Sequence, residues 1–149
     1  MPHDPVLMAD TKAWLKKAGN DLRAAAIDLG ADPPLLEDMV FHCQQVVEKS
    51  FKAFLTFHDQ PFRKTHNLEE IGGACLKIDP SLEDLVDQSV PLSEYAFTFR
   101  YPGEPETPDL EESKSALLVA REVFAAILRR LPVETHPATS KTDTQRKGV

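Results

Sequence analysis

Six basic side chains, spread over three places in the chain, have the chemistry of a phosphate-binding site. Arginine binds a phosphate group through two parallel hydrogen bonds, and lysine binds it as a point charge. Each of the six also has an ordinary structural role open to it, since lysines commonly solvate a helix face and a histidine beside a loop commonly bonds a carbonyl group. The six are Lys49, Lys52, Arg63, Lys64, His66 and Arg100. Together they would make a positive spot on an otherwise acidic protein.

Other signatures of catalysis and metal binding are missing from the sequence. The glycine pair Gly72-Gly73 lies in a helical pattern and lacks the Lys-Ser or Lys-Thr ending of a phosphate loop. His-Glu-x-x-His, Cys-x-x-Cys, Gly-x-Ser-x-Gly and the Glu-x-x-His of di-iron bundles do not occur. Cys43 and Cys75 have neither metal-ligand spacing nor a disulfide framework. We therefore predict no catalytic residue, no metal site and no cofactor.

The longest uninterrupted stretch, Leu35 to Asp59, contains neither glycine nor proline and predicts one long helix. Its apolar residues recur at every third or fourth position, which places them on one helix face. They are Leu36, Val40, Cys43, Val47, Phe51 and Phe54. A polar stripe runs beside them and consists of His42, Gln45, Lys49 and Lys52. A helix this apolar needs partners on its sides, so we predict that it is the central helix of a bundle.

Helix caps and breaks predict four further helical segments around this central helix. The first helix runs from Asp10, its N-cap, to about Leu29, and a short helix capped by Asn67 covers 68–78. A further helix is capped by Ser81 and ends or bends at Pro91. The last helix is capped by Asp109 and covers about 110–131. No segment shows the alternation of a strand. The predicted fold class is all-α, an up-and-down four-helix bundle with an additional short helix.

The chain divides into three predicted regions: a flexible N-terminal arm over 1–9, the helical bundle over 10–131, and a disordered tail over 132–149. The tail is predicted because its composition offers almost nothing to bury. Basic residues flank the apolar stripe of the first helix, and we interpret them as a solvated edge. They are Lys12, Lys16 and Arg23. The sequence leaves open whether this edge joins a binding site.

Composition limits the classes of function. The chain has 149 residues, enough for one domain with a sizeable core, and a formal net charge of −7. Proteins that bind duplex nucleic acid nonspecifically carry an excess of basic residues, so this class is disfavoured, whereas RNA bound at a local basic patch stays open. No apolar run approaches the roughly 20 residues that span a bilayer, and no signal peptide is visible. We expect a cytoplasmic protein that does not bind membranes.

Three ordered motifs resemble those of HEPN domains (higher eukaryote and prokaryote nucleotide-binding). They are the central-helix sequence from Phe41 to Leu55, the step Thr65-His66-Asn67-Leu68 and the turn Arg100-Tyr101-Pro102, and the first helix with Trp14 and Asp21-Leu22 fits as well. The resemblance covers about residues 10–131. It implies a bundle of about five helices that is often a homodimer, kinship with the helical domain of kanamycin-type nucleotidyltransferases, and nucleotide binding.

The resemblance also implies where a ligand or partner would bind, because the family motifs fall on particular residues. The implied ligand-binding residues are Gln45, Glu48, Lys49, Lys52, His66, Arg100 and Tyr101. Members of the family are frequently paired with a separate minimal nucleotidyltransferase protein, as in a toxin–antitoxin module. We therefore expect a non-catalytic HEPN protein that binds a nucleotide, such a nucleotidyltransferase partner, or both.

Some members of the family are metal-independent ribonucleases that use an arginine followed by a histidine after four to six residues. His66 comes only three residues after Arg63, which is too close. Arg129 and Arg130 precede His136 by a fitting number of residues, but Leu131-Pro132 breaks the helix between them. A ribonuclease toxin that uses His66 or His136 is thus the alternative, and a purely structural interaction bundle is a further one.

Overall fold

A computed structural model describes residues 3–103 and 107–138 of the chain. The described residues form five α-helices and no strand. The helices are α1 (Pro5–Gly30), α2 (Leu36–Phe57), α3 (Leu68–Ile78), α4 (Glu83–Ser89) and α5 (Leu110–Arg130), with 3-10 turns at Pro80–Leu82, Val90–Ala96 and Val133–Thr135. The predicted all-α bundle is confirmed. No described helix combines the length and the apolar character needed to cross a membrane.

Helix α2 is the centre of the bundle, as its apolar periodicity predicts. It packs against α1 on one side, α5 on another, and α3 with the Val90–Ala96 turn on a third. The predicted stripe is buried from Val40 to Phe54, and residues beside the stripe, such as Met39 and Val46, are buried as well. Burial on more than one face explains why this helix carries so few exposed side chains.

Two helix caps follow the pattern that the sequence predicts. The side chain of Asn67 accepts hydrogen bonds from the amides of Glu69 and Glu70, at 2.9 and 3.1 Å, and α3 begins directly after it. Asp109 caps α5 by accepting a hydrogen bond of 2.7 Å from the amide of Glu112. These bonds satisfy amide groups that lack a partner in the first turn of any helix.

The first helix starts earlier than predicted. Asp4, and not Asp10, is its N-cap, since the Asp4 carboxylate accepts a hydrogen bond of 2.8 Å from the amide of Val6. Pro5 occupies the first helical position, where its missing N–H group costs nothing. The predicted flexible arm is therefore helical from residue 5 onward, while residues 1 and 2 lie outside the described residues.

Helix α4 also begins differently from the prediction. Ser81 is not a cap; it lies in a 3-10 turn capped by Asp79, whose side chain accepts a hydrogen bond of 3.0 Å from the Ser81 amide. Helix α4 then follows from Glu83 without a side-chain cap and ends at Ser89. The chain continues as the 3-10 turn that contains Pro91, as expected of a proline that ends a helix.

The residues directly after α5 are ordered, so the predicted disordered tail is wrong for 132–138. Thr135 is fully buried and donates a hydrogen bond of 2.6 Å to the Pro132 carbonyl. The Nε2 atom of His136 lies 2.8 and 3.1 Å from the carbonyl oxygens of Leu128 and Leu131. The histidine thereby satisfies carbonyl groups left unpaired by the end of α5, which the composition of the segment did not indicate. Residues 139–149 of the predicted tail lie outside the described residues.

Candidate functional site

The predicted positive spot does not form as one site, because most of its cations are neutralised by carboxylates within the bundle. The structure divides the predicted binding residues into three groups. These are a buried ion cluster around Glu48, an ion pair between α1 and α2 that contains Lys49, and an exposed turn that contains Arg100 and Tyr101.

The buried ion cluster consists of Gln44, Glu48, Lys52 and His66. The Glu48 carboxylate is only 4% exposed, and it accepts hydrogen bonds from Gln44 Nε2 at 2.9 Å, Lys52 Nζ at 3.1 Å and His66 Nδ1 at 2.7 Å. Burial by itself would raise the pKa of Glu48, but the hydrogen bonds from Gln44 and His66 and the charge of Lys52 outweigh it and lower the pKa. The carboxylate is thus held in its charged form.

Lys52 is the cation of this cluster and is 7% exposed. Its ammonium group lies 5.6 Å from the ring centroids of both Trp14 and Phe62, within the range of a cation–π interaction. A ligand could reach Lys52 only by displacing these rings and the Glu48 carboxylate. Lys52 therefore stabilises the bundle and is not available to a phosphate group.

His66 forms the outer edge of the buried ion cluster and is half exposed. Its Nδ1 faces Glu48, and its ring packs edge-on against Phe97 with 5.6 Å between centroids. Because the carboxylate accepts a hydrogen bond at Nδ1, the Nε2 atom is left for acid–base chemistry or for a ligand. The adjoining cavity of about 450 Å³ is also lined by Glu69 and Glu94, which disfavour an anion there.

Lys49 belongs to a second group, in which Asp21 of α1 lies between two residues of α2. One oxygen of Asp21 is 2.8 Å from Nδ1 of His42, and the other accepts a hydrogen bond of 2.5 Å from Lys49. Gln45, the remaining predicted residue of this stripe, donates a hydrogen bond of 2.6 Å to the side chain of Gln44. His42 and Lys49 of the polar stripe thus join α2 to α1 through Asp21.

The third group is exposed. The guanidinium group of Arg100 stacks on the ring of Phe41, 3.8 Å from its centroid, and Tyr101 beside it is exposed to solvent. Arg63, from the same predicted spot, pairs with Glu70 through hydrogen bonds of 2.8 and 2.9 Å on the surface. Stacking on an aromatic ring leaves the arginine's hydrogen-bond donors at the edge of its plane, so Arg100 keeps the ability to contact an anion.

A basic groove, which the sequence analysis interpreted as a solvated edge, lies between α1, α5 and the segment after α5. Its cavity measures about 860 Å³. The residues that line it are Lys12, Lys16, Gly19, Asn20, Arg23, Phe124, Leu128, Val133, His136, Pro137 and Ala138. Over the described ranges, no carboxylate lies within 4.0 Å of its lysines or its arginine. The signal in the sequence was the spacing of 12, 16, 20 and 23, which places four polar residues on one helix face.

Neither arginine of the ribonuclease alternative lines the basic groove with His136, and Arg129 lines a separate pocket with Leu85 and Glu122. Arg130 binds Asp79 at 2.7 Å, Ser81 at 2.9 Å and a carbonyl of its own helix at 2.8 Å. Hydrogen bonds from Ser81 and Arg130 lower the pKa of Asp79 to about 2. His136 instead binds carbonyls at the end of α5 and lines the basic groove, so the two side chains serve different contacts despite their spacing.

The comparison with protein families agrees with the motifs and with the all-helical fold. The HEPN domain model matches residues 11–131, which is most of the chain and runs from the first turns of α1 to the end of α5. Neither the comparison with curated proteins nor the comparison with solved structures gave a significant match. The match confirms the resemblance seen in the sequence, and the chain belongs to the HEPN domain family.

Proposed function

We propose that this chain is a cytoplasmic, non-catalytic HEPN domain that binds a nucleotide in the basic groove. The observation that carries the proposal is the set of three cations, Lys12, Lys16 and Arg23, on one face of α1 without a carboxylate partner among the described residues. Arginine and lysine are the side chains that bind phosphate groups, the first through two parallel hydrogen bonds. Phe124 and Leu128 on the facing helix offer apolar surface for a base or a ribose.

The arrangement of charge favours an anion. Lys12 and Lys16 are four residues apart on one helix, and like charges at this spacing destabilise a helix by a few tenths of a kcal/mol. A bound phosphate group would reverse this repulsion. The protein as a whole carries a charge of −7, so the basic groove would concentrate an anionic ligand at one place on an otherwise repulsive surface.

The residues implied by the family motifs are less suited to this role. Lys49 and Lys52 are held by Asp21 and Glu48, and a phosphate group would have to displace a partly or fully buried carboxylate to reach either lysine. Arg100 keeps a free edge and therefore provides a second, separate position to test. The basic groove is the better candidate because its cations need no rearrangement.

The non-catalytic part of the proposal rests on Arg130 and His136. Arg130 is engaged by Asp79 and Ser81, and His136 by the carbonyls of α5, so the two side chains do not face a common phosphate position.

One observation favours the ribonuclease alternative: His136 lines the same groove as the three cations. Incubation of labelled RNA with the protein and with His136→Ala separates the two. Cleavage that disappears in His136→Ala would refute the non-catalytic proposal.

A thermal-shift and calorimetric titration with ATP, GTP, mononucleotides and inorganic phosphate tests nucleotide binding. A ligand at 100 times its Kd stabilises a protein by about 2.7 kcal/mol, which corresponds to a rise of roughly 5–10 °C in melting temperature for a chain of this size. We expect the double variant Lys16→Ala/Arg23→Ala to lose at least about tenfold in affinity, since each charged hydrogen bond contributes roughly 1.5–3 kcal/mol. Lys114→Ala, an exposed lysine of α5 outside the basic groove, is the matched control.

Each result of this titration assigns the ligand differently. Weaker nucleotide binding in Lys16→Ala/Arg23→Ala, with unchanged binding in Arg100→Ala, supports the basic groove as the site. Weaker nucleotide binding in Arg100→Ala, with unchanged binding in the double variant, assigns the site to the exposed turn and refutes nucleotide binding in the basic groove. If no nucleotide shifts the melting temperature, the nucleotide proposal fails and the expected protein contacts, a homodimer or a minimal nucleotidyltransferase, become the leading function. Light scattering and co-expression with a candidate nucleotidyltransferase measure those contacts.

A further inference from the structure

Three side chains that play no part in the basic groove meet where α1 ends and α2 begins. Asp28 lies in the last turns of α1, Asp38 in the first turn of α2, and His42 one turn later. One oxygen or nitrogen from each of the three lies within 4.8 Å of the others. The Nε2 atom of His42 is 3.3 Å from Oδ2 of Asp38. The three side chains therefore converge on one point, which we call the Asp28–Asp38–His42 cluster.

The contact at the other ring nitrogen of His42 sets which tautomer the imidazole adopts. Its Nδ1 lies 2.8 Å from Asp21, and the charge of Asp21 is balanced by Lys49. A carboxylate only accepts hydrogen bonds, so Nδ1 carries the proton. In a neutral imidazole, Nε2 is then an acceptor that faces the acceptor oxygens of Asp38. A metal ion placed between the two groups would accept both lone pairs.

A histidine whose Nδ1–H group is held by a carboxylate is the usual arrangement behind a metal-binding imidazole. The carboxylate orients the ring and makes Nε2 a stronger ligand. Asp21 has this relation to His42, and Lys49 in turn fixes Asp21. The cluster thus has both a set of ligand atoms and an outer layer that orients one of them.

Asp28 supplies an independent observation that points to a bound cation. The residue is 7% exposed, and its Oδ2 atom has no hydrogen-bond partner over the described part of the chain. An ionised carboxylate oxygen buried without a partner is costly, and the Asp38 carboxylate that lies beside it adds repulsion to that cost. A cation held between Asp28, Asp38 and His42 would satisfy this carboxylate without requiring it to be protonated.

We propose that Asp28, Asp38 and His42 bind a divalent transition-metal ion, with Zn²⁺ as the best fit. An imidazole nitrogen with two carboxylate oxygens suits Zn²⁺, whereas Mg²⁺ and Ca²⁺ prefer oxygen ligands alone. Two ligands at Zn²⁺ distances and a tetrahedral angle lie about 3.3 Å apart. The observed 3.3 Å between His42 Nε2 and Asp38 Oδ2 has this value.

The site is accessible to a metal ion from solvent. The side chain of Asp38 is 56% exposed, which gives the ion an entry path, and a water molecule would complete four-coordination. The ion would join the end of α1 to the start of α2 across the turn that separates them. We assign it a structural role at this junction, distinct from the nucleotide site proposed for the basic groove.

Metal binding is measured on the full-length protein after treatment with a chelator. Isothermal titration with ZnCl₂ is expected to give one ion per chain and a release of protons, and Zn²⁺ is expected to raise the melting temperature. Binding of Co²⁺ in place of Zn²⁺ would give the absorption of a tetrahedral site. We expect Asp38→Asn and His42→Gln to lower the affinity at least about tenfold. Glu37→Gln, an exposed carboxylate beside Asp38, is the control for the change in charge.

Asp38→Asn and His42→Gln test the proposal without a change at the buried Asp28, whose replacement could unfold the protein. Asp38 is exposed, so Asp38→Asn is expected to leave the far-ultraviolet circular dichroism spectrum unchanged. Zn²⁺ binding that persists in both Asp38→Asn and His42→Gln would belong to other histidines and would overturn the proposal. Absence of Zn²⁺ binding to the wild-type protein would overturn it as well, and a proton shared between Asp28 and Asp38 would then be the cation of the cluster.

Discussion

Replacement of Glu48 by glutamine tests how strongly the buried Lys52 depends on the Glu48 carboxylate to balance its charge. The variant keeps the size of the side chain and removes its charge. Lys52, which is 7% exposed, is then left as a buried cation without a carboxylate. Breaking a buried ion pair by removal of one partner costs about 3–5 kcal/mol. The cation–π contacts of Lys52 with Trp14 and Phe62 remain in the variant, so we expect a loss near the lower end of this range, about 3 kcal/mol.

Urea denaturation followed by circular dichroism measures this loss. With a slope of about 2 kcal/mol per molar urea, a loss of about 3 kcal/mol lowers the midpoint by roughly 1.5 M without changing the slope. Glu70→Gln is the matched control, because its ion pair with Arg63 lies on the surface with 42% and 71% of the two side chains exposed. Exposed pairs contribute about 0–1 kcal/mol, so this midpoint should move little.

A double variant separates the cost of an unpaired charge from the cost of lost packing. Glu48→Gln/Lys52→Met removes both charges, and buried pairs replaced by apolar residues of similar size are often neutral in stability. We therefore expect it to recover much of the loss seen in Glu48→Gln. A midpoint for Glu48→Gln as close to wild type as that of Glu70→Gln would refute the reasoning. A double variant no more stable than the single one would refute the role of the unpaired Lys52 charge.

The same variant predicts a dependence on pH. The pKa of Glu48 is lower in the folded protein than in the unfolded chain, so its contribution to stability is present above the unfolded pKa of about 4.3 and is lost as the pH falls through the folded pKa. The difference in unfolding free energy between wild type and Glu48→Gln should be largest near neutral pH and should shrink below about pH 4.3. A difference that grows on acidification would contradict the lowered pKa.

Two further predictions concern packing and the cysteines. A methyl group at Gly72 would lie 2.7 Å from a branched methyl of Val86, so Gly72→Ala should destabilise the protein by about 1–3 kcal/mol, whereas Gly73→Ala meets nothing within 4 Å and should stabilise α3 by about 1 kcal/mol. Urea midpoints that move the same way would contradict the close approach of α3 to α4. Burial raises the pKa of both Cys43 and Cys75 to about 12, so a thiol reagent at pH 8 should modify neither before urea unfolds the chain.

The helical fold was predictable because local patterns in the sequence are enough to specify it. The apolar repeat from Val40 to Phe54 identifies one buried helix face, and a helix this apolar has no stable place except the centre of a bundle. Asn67 and Asp109 cap their helices through bonds to amides two or three residues away, so their effect is visible within a few residues of sequence. The early start of α1 is also marked locally, by Asp4 as a capping residue and Pro5 at the first helical position, although the prediction placed the cap at Asp10.

What the sequence by itself determined about this protein is therefore its class, its central helix and its family. Which basic residues are left without a carboxylate beside them was decided only by the tertiary structure, because a charge is neutralised by whatever carboxylate the fold brings close to it. Asp21 is 28 residues from Lys49 in sequence, yet it neutralises that lysine at 2.5 Å, while Lys16 and Arg23 lie where no described carboxylate approaches them. The meeting of Asp28 with Asp38 and His42 likewise depends on the angle between two helices, which no spacing along the chain reveals.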